Sequence, residues 1–258
     1  MIGIRLFAVL AGALVALGAP AAGWTAPEGK VVIAQGVDPS SLDTMNQQET
    51  PASVVAEHIY NKLVERDQSL KIVPALAVEL PKLISPQVWE VKLRKGVKFH
   101  NGEDFNADSA KFSLERAKDP KMRASSNFKL IQRVEIVDPY TVRVHTVKPW
   151  PTFVASMNHP QAAMYPPKAY ADKDSPYISK NPIGTGPYKF VRWSKDEEIV
   201  LEANDAYYRG APKIKTVVFR PIPTTRCGWP RSRTARSTWP STSRPIWRRS
   251  STSIQRFF

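Results

Sequence analysis

Cysteine is almost absent from this chain of 258 residues, since the only one is Cys227. The first 225 residues therefore have no disulfide, no thiolate metal site, no cysteine nucleophile and no lipidated cysteine. Histidine is also scarce, and the four present show no metal-ligand spacing on one helix: His58, His100, His145 and His159. No nucleophile or carboxylate pair indicates hydrolysis. We therefore expect no enzymatic activity, no metal and no cofactor.

Acidic residues are missing from the last 33 positions, 226–258, which hold eight arginines, seven serines and three tryptophans. Much of the net charge of +14 belongs to this tail, because the residues before it carry 29 basic and 23 acidic side chains. The body is thus only mildly basic, and a nucleic-acid function would depend on the tail alone. We expect the tail to be disordered.

The N-terminus has the features of an export signal. One positive charge within the first five residues precedes an apolar run over 6–17, and small residues with a proline follow. These are the parts of a secretory signal, which we assign to residues 1–26, with cleavage after Ala21 or Ala26. An uncleaved membrane anchor is the alternative, but the glycine and proline after the apolar run favour cleavage.

Apolar patterns predict the strands of the body. Short or alternating runs indicate strands at 30–35, 89–93, 188–193, 199–203 and 214–219. Val134 and Ile136 are expected to pair with Val142 and Val144 across the turn at 138–139.

Capping residues predict two helices. Thr50 before Pro51 indicates a helix whose buried stripe includes Val55, Ile59 and Leu63. A second helix is expected over 107–118 because the preceding asparagine can cap it. Mixed strand and helix order without a repeated βα unit indicates an α/β or mixed α+β lobe.

Four phrases occur together in one order. They are residues 59–77, with IYNKLV and SLKIVPALA; 89–108, WEVKLRKGVKFHNGEDFNAD; 181–188, NPIGTGPY; and 204–210, NDAYYRG. Together they resemble the bacterial extracytoplasmic solute-binding proteins of family 5, the oligopeptide, dipeptide and nickel class. Their glycines are interpreted as turn residues. A phosphate cradle at GTGP is disfavoured, because the lysine and the following helix of a phosphate loop are missing.

The resemblance implies a periplasmic-binding-protein-like class II fold, with residues 27–225 as the N-terminal part of the solute-binding domain in its first lobe. Family members enclose a solute between two hinged lobes, and the closed form docks on a membrane permease driven by an ATPase. The chain is thus expected to be the monomeric, periplasmic substrate-binding component of an ABC importer, with small peptides as solute and no nucleic-acid partner. Nickel chelates, glutathione-like compounds, opines and sugars remain open.

The resemblance also places the loop after the first strand at the border of the solute cleft. Its polar side chains and exposed backbone are suited to bind a peptide backbone or an amine. A solvated loop that caps neighbouring elements is the alternative. The expected ligand-binding residues are Gln35, Gly36, Val37, Asp38, Ser40 and Asp43.

Residue Arg226 marks an abrupt change of composition. Family members continue into a second lobe here, and the change suggests GC-rich DNA read in a shifted frame. Suitable synonymous codons for residues 226–258, read in a frame shifted by one base, can encode a helix followed by a strand. This pattern resembles the segment that follows this point in family members. We therefore expect a truncated, frameshifted form with poor solubility and no peptide binding measurable by calorimetry. The alternative is a secreted basic protein whose tail binds nucleic acid or an anionic membrane.

Overall fold

A computed structural model describes residues 27–222 of the chain. The predicted export signal at 1–26 and the basic tail at 226–258 lie outside these residues, as do the last positions of the domain assigned to 27–225. Those expectations stay predictions. Within the described range, no helix is long and apolar enough to cross a membrane.

The described residues form a mixed α/β structure. Its strands are β1 (Glu28–Gln35), β2 (Val64–Arg66), β3 (Ile72–Pro74), β4 (Lys82–Ser85), β5 (Val88–Lys92), β6 (Ile131–Asp138), β7 (Thr141–Thr146), β8 (Tyr188–Ser194), β9 (Glu198–Ala203) and β10 (Ile214–Pro221). Its α-helices are α1 (Thr50–Ile59), α2 (Ala107–Ala117), α3 (Ser125–Phe128), α4 (Phe153–Ser156), α5 (Pro167–Tyr170) and α6 (Ser175–Lys180).

Two four-stranded sheets organise these elements. Sheet 1 has the order β1-β10-β9-β8, in which β1 is parallel to β10 and the other pairs are antiparallel. Sheet 2 has the order β4-β5-β7-β6 and is antiparallel throughout. A small hairpin joins β2 to β3. Helix α1 packs beside β8 of sheet 1, and α2 packs on β6 and β7 of sheet 2.

The sequence pattern explains most of these elements. The predicted pairs form as expected, with Val134 opposite Val144 and Ile136 opposite Val142. Helix α2 is capped by the side chain of Asn106, which accepts a hydrogen bond from the backbone N–H of Ser109.

Helix α1 corrects two details of its prediction. Its cap position is Glu49 rather than Thr50, and no side chain makes the capping hydrogen bond there. The helix also ends at Ile59, four residues before Leu63. Leu63 is nevertheless fully buried, because the segment beyond the helix folds back into the same core.

Aromatic side chains fill the core between the elements of sheet 2 and its covering segments. The ring of Trp89 stacks on Phe153 with centroids 4.9 Å apart, and Trp150 meets Phe153 edge-on at 5.4 Å. Both tryptophans are buried. Trp89 and Trp150 therefore serve as core residues.

Candidate solute-binding site

The loop after β1 lies at one edge of sheet 1. Strands β1, β8 and β10 run in the same direction, so Gln35, Ser194 and Pro221 end at the same edge. The loop then leads into a short 3-10 helix at Thr44–Asn46. The predicted ligand-binding residues are thus placed where three strands finish together.

Three residues of this loop are open to solvent. Gly36 and Ser40 are exposed, and 57% of Val37 is accessible. The backbone N–H of Ser40 donates to Glu49 Oε1 at 2.6 Å, which fixes the loop against the start of α1. Ser40 also lines a groove described below.

Asp38 has a buried carboxylate, with only 2% of its side chain accessible. The indole N–H of Trp193 and the backbone N–H of Asp196 donate to it, and Lys195 Nζ lies 2.9 Å from Oδ2. These donors come from the turn between β8 and β9. The side chain therefore ties the loop to sheet 1.

Asp43 is also withdrawn from the surface, with no accessible side-chain area. Arg116 on α2 donates to both carboxylate oxygens, at 3.1 and 2.6 Å, and the hydroxyl of Tyr165 donates at 2.9 Å. Burial opposes the charge of Arg116, but the contact with Asp43 outweighs it, so the pKa of Arg116 is raised. The oxygens of Asp43 thus already have partners inside the protein. Its contact with a solute stays a prediction.

Gln35 occupies the last position of β1. Its amide oxygen and nitrogen are both buried, and neither has a hydrogen-bond partner among the described residues. A buried unpaired amide costs free energy, about 1–3 kcal/mol. Among the loop residues, Gln35 is therefore the one whose side chain would gain most from a hydrogen-bonding ligand.

A groove of about 910 Å³ lies beside the loop. Its lining combines Ser40 and Ser41 of the loop, residues of α6 and the residue after it, and the last part of β8 including Trp193. Its volume is in the range of sites that hold small organic ligands. Trp193 thus serves both as a donor to Asp38 and as groove surface.

The four motif phrases meet at one junction, at the C-terminal end of α1. Gly186 N–H donates to the carbonyl of Ile59, the last residue of α1, at 2.8 Å. A Cβ on Gly184 would lie 2.0 Å from that same carbonyl oxygen, so only glycine fits there. The GTGP loop thus covers the carbonyl end of a helix, where a phosphate would be repelled.

His100 connects the second phrase to the third. Its Nε2 lies 3.0 Å from the carbonyl of Gly186, and its Nδ1 accepts a hydrogen bond from the Gly184 N–H at 3.3 Å. Because Nδ1 accepts, the neutral ring with hydrogen on Nε2 satisfies both contacts. Burial lowers the pKa of His100 from 6.5 to about 4.

Asn61 connects the first phrase to the third. It is buried and accepts a hydrogen bond from the Thr185 hydroxyl, while its amide donates to Glu65. Asn204 in the fourth phrase donates to the Gly186 carbonyl at 3.1 Å. Sequence reasoning assigned these phrases turn roles but missed their shared junction, because the contacts join residues far apart in the chain.

No group of three or more His, Cys, Asp or Glu residues in the described range could hold a metal ion. His100 and His145 are instead engaged with a backbone carbonyl and with Glu135, respectively.

Comparison with known proteins decides the family. The model of the bacterial extracellular solute-binding proteins, family 5 (middle part), matches residues 71–227. The chain belongs to this family. The matched region includes three of the four motif phrases in full and the end of the first, which agrees with the resemblance found in the sequence.

Individual relatives point the same way. The glutathione-binding protein GsiB of Pectobacterium atrosepticum is 34% identical over 202 residues, which are 77% of this chain and 39% of the relative. The solved structure of DppA from Helicobacter pylori with the peptide STSA has a TM-score of 0.69 and 31% identity, covering 76% of this chain and 43% of that one.

NikZ from Campylobacter jejuni, solved with Ni(L-His), has a TM-score of 0.68 and 28% identity over 75% of this chain and 39% of its own. These neighbours establish a periplasmic-binding-protein fold for the described lobe. The chain spans about 39% of the length of the curated relatives it matches.

Proposed function

We propose that this chain provides the first lobe of the substrate-binding component of an ABC importer, which captures a small peptide outside the cytoplasmic membrane and delivers it to the permease. The single observation that supports this most is the family match over residues 71–227. Export by the N-terminal signal to the periplasm, and action as a monomer, belong to the same proposal. The family binds solutes and its named relatives are binding proteins, so the proposal includes no chemical step.

Peptide is the proposed solute, because the loop offers groups that complement a peptide backbone. The Gln35 amide has donors and an acceptor without partners among the described residues, and the backbone beside Gly36 is exposed. Among the neighbours, DppA holds a peptide and AppA a nonapeptide. Glutathione, nickel–histidine and mannopinic acid, which are named for other relatives, are the competing solutes.

The proposed contacts are made by Gln35, Gly36, Val37 and Ser40, while Asp38 holds the loop in place through the β8–β9 turn. A solute that contacts both this loop and a second lobe binds the closed state more tightly than the open state. It therefore stabilises the closed state. The loop is braced at both ends, by Asp38 and by Asp43, so it requires little ordering when the solute arrives.

Solute uptake by cells tests this function, and it requires both lobes. In a strain that lacks its own peptide-binding protein, a fusion of residues 1–222 with the second lobe of a family relative should restore the uptake of radiolabelled trialanine. The 258-residue chain alone should not restore it, because we propose that the truncated form is inactive. In the fusion, Gln35→Ala should restore less, whereas Lys129→Ala, an exposed change directly after α3, should restore as much as the parent. A fusion that restores glutathione or nickel–histidine uptake instead would identify a different solute. Restoration of none of them would contradict the importer role.

A further inference from the structure

The groove beside the loop differs from an ordinary surface depression in its charge. Three basic residues line it, namely Lys180, Arg192 and Lys195, and no Asp or Glu does so among the described residues. Lys195 is neutralised by Asp38, and Arg192 shares Glu198 with Arg220. Lys180 has no carboxylate within 4.0 Å in the described part of the chain. The groove thus carries an excess of positive charge.

A second groove on the same lobe provides a comparison. Its volume is about 840 Å³, close to that of the first. Acidic residues are present in its wall beside basic ones: Asp108, Lys111, Glu115, Arg116, Asp119, Lys121, Asp172, Lys173 and Asp174. The positive bias is therefore a property of the groove next to the loop and not of this mildly basic lobe as a whole.

Two hydroxyl groups in the first groove are free to donate. Ser179 Oγ accepts a hydrogen bond from the backbone N–H of Leu42 at 3.0 Å, and Ser175 Oγ accepts one from the Asn46 amide at 3.0 Å. Each oxygen is thus already an acceptor toward the protein, which leaves its own O–H available to donate. Donor hydroxyls beside an unpaired ammonium group form a suitable environment for an anion.

Part of the groove lining is apolar, namely Phe190, Val191 and Trp193. An amphipathic groove of this kind suits an organic molecule with an apolar part and a negative end, more than a bare inorganic ion. Ser40 belongs to both the groove and the proposed solute loop, so the two are continuous.

We infer that this groove is the carboxylate subsite of the solute site, and that the chain selects peptides or other small organic acids with a free carboxylate held near Lys180. The inference rests on the proposed function and adds the charge of the solute to it. It assigns Lys180, with the hydroxyls of Ser175 and Ser179, to recognition of the anionic end.

Ligand-observed saturation-transfer NMR on the full 258-residue chain tests the subsite, because it detects weak binding at low protein concentration. The probes are trialanine and trialanine amide, which differ only in the terminal carboxylate. Trialanine should bind with a dissociation constant lower by about fivefold, the upper range for an exposed charge pair. The variant Lys180→Gln should remove this difference. Lys121→Gln, in the second groove, should retain it.

Each result has a distinct meaning. Equal binding of both probes to the parent chain would overturn carboxylate selection and leave peptide capture standing. A preference for trialanine that persists in Lys180→Gln would overturn the assignment to this groove. Saturation transfer to neither probe would overturn the subsite and weaken the peptide proposal with it. Circular dichroism spectra identical to those of the parent establish that the variants are folded.

Discussion

The imidazole of His100 must be neutral to make both of its contacts, because Nδ1 accepts from Gly184 while Nε2 donates to Gly186. Its pKa is about 4 in the folded protein against 6.5 ordinarily, so its contribution to stability is complete above pH 6.5 and is lost as the pH falls toward 4. Between pH 7 and pH 5 we expect a loss of about 2 kcal/mol in the free energy of unfolding from this group. Urea denaturation at both pH values measures it. The variant His100→Gln should lose less over the same interval, and an equal loss would show that another group is responsible.

The two glycines of the GTGP phrase leave no room for a side chain. A Cβ on Gly184 would meet the Ile59 carbonyl oxygen at 2.0 Å, whereas a Cβ on Gly36 would meet no atom within 4 Å. We therefore expect Gly184→Ala to destabilise the protein by about 3 kcal/mol or more, and Gly36→Ala to change its stability by less than about 1 kcal/mol. Thermal or urea unfolding distinguishes the two, and similar values for both would contradict the close packing of this loop on α1.

At the scale of elements, the buried pair of Asp43 and Arg116 joins the solute loop to helix α2. Removing one charge leaves the other buried without a partner, so Asp43→Ala should cost about 3–5 kcal/mol. The double variant Asp43→Ala with Arg116→Met should regain part of this loss, because no uncompensated charge is left. A double-mutant cycle by urea denaturation measures the coupling. Additive losses would show that the pair does not hold the loop.

Elements differ in how well the sequence predicted them, and the reasons are their length and whether they have a buried face. Strand β5 and helix α2 are long enough to show a sequence pattern or a cap, so both were predicted close to their observed bounds. Strands β2 and β3 have three residues each, and α3 and α4 have four, which is too short for any period to appear. All residues of β4 are exposed, so it has no apolar face to detect.

Site residues are harder to predict than elements, since their roles depend on distant partners. Asp38 and Asp43 are polar loop residues by sequence, and only the folded lobe brings Trp193 and Arg116 against them. Ser40 and Gly36 remain exposed, although the backbone N–H of Ser40 donates to Glu49. The positive groove likewise combines residues of the loop, of α6 and of β8, and nothing in their local sequence indicates that they meet.

For the molecule as a whole, β1 is an edge strand of sheet 1 as the described residues form it, and it exposes half of Val32. An exposed apolar edge favours pairing between chains. The variant Val32→Lys should therefore reduce self-association with little change in stability, as measured by light scattering and thermal unfolding. Leu70→Lys, an equally drastic change at an exposed turn, is the control and should leave association unchanged. Equal effects of both would indicate general solubility and not edge pairing.

The parallel pairing of β1 with β10 also determines the order in which a growing chain can fold. Glu28 pairs with Ile214 and Gln35 with Pro221, whereas the partners in sheet 2 all lie between residues 82 and 146. As synthesis proceeds from the N-terminus, all strands of sheet 2 are made long before β10. Strand β1 therefore has no pairing strand in sheet 1 until β10 emerges. A nascent chain halted near residue 200 should therefore resist protease across sheet 2 and be cut within β1, and release of the remaining residues should protect that strand.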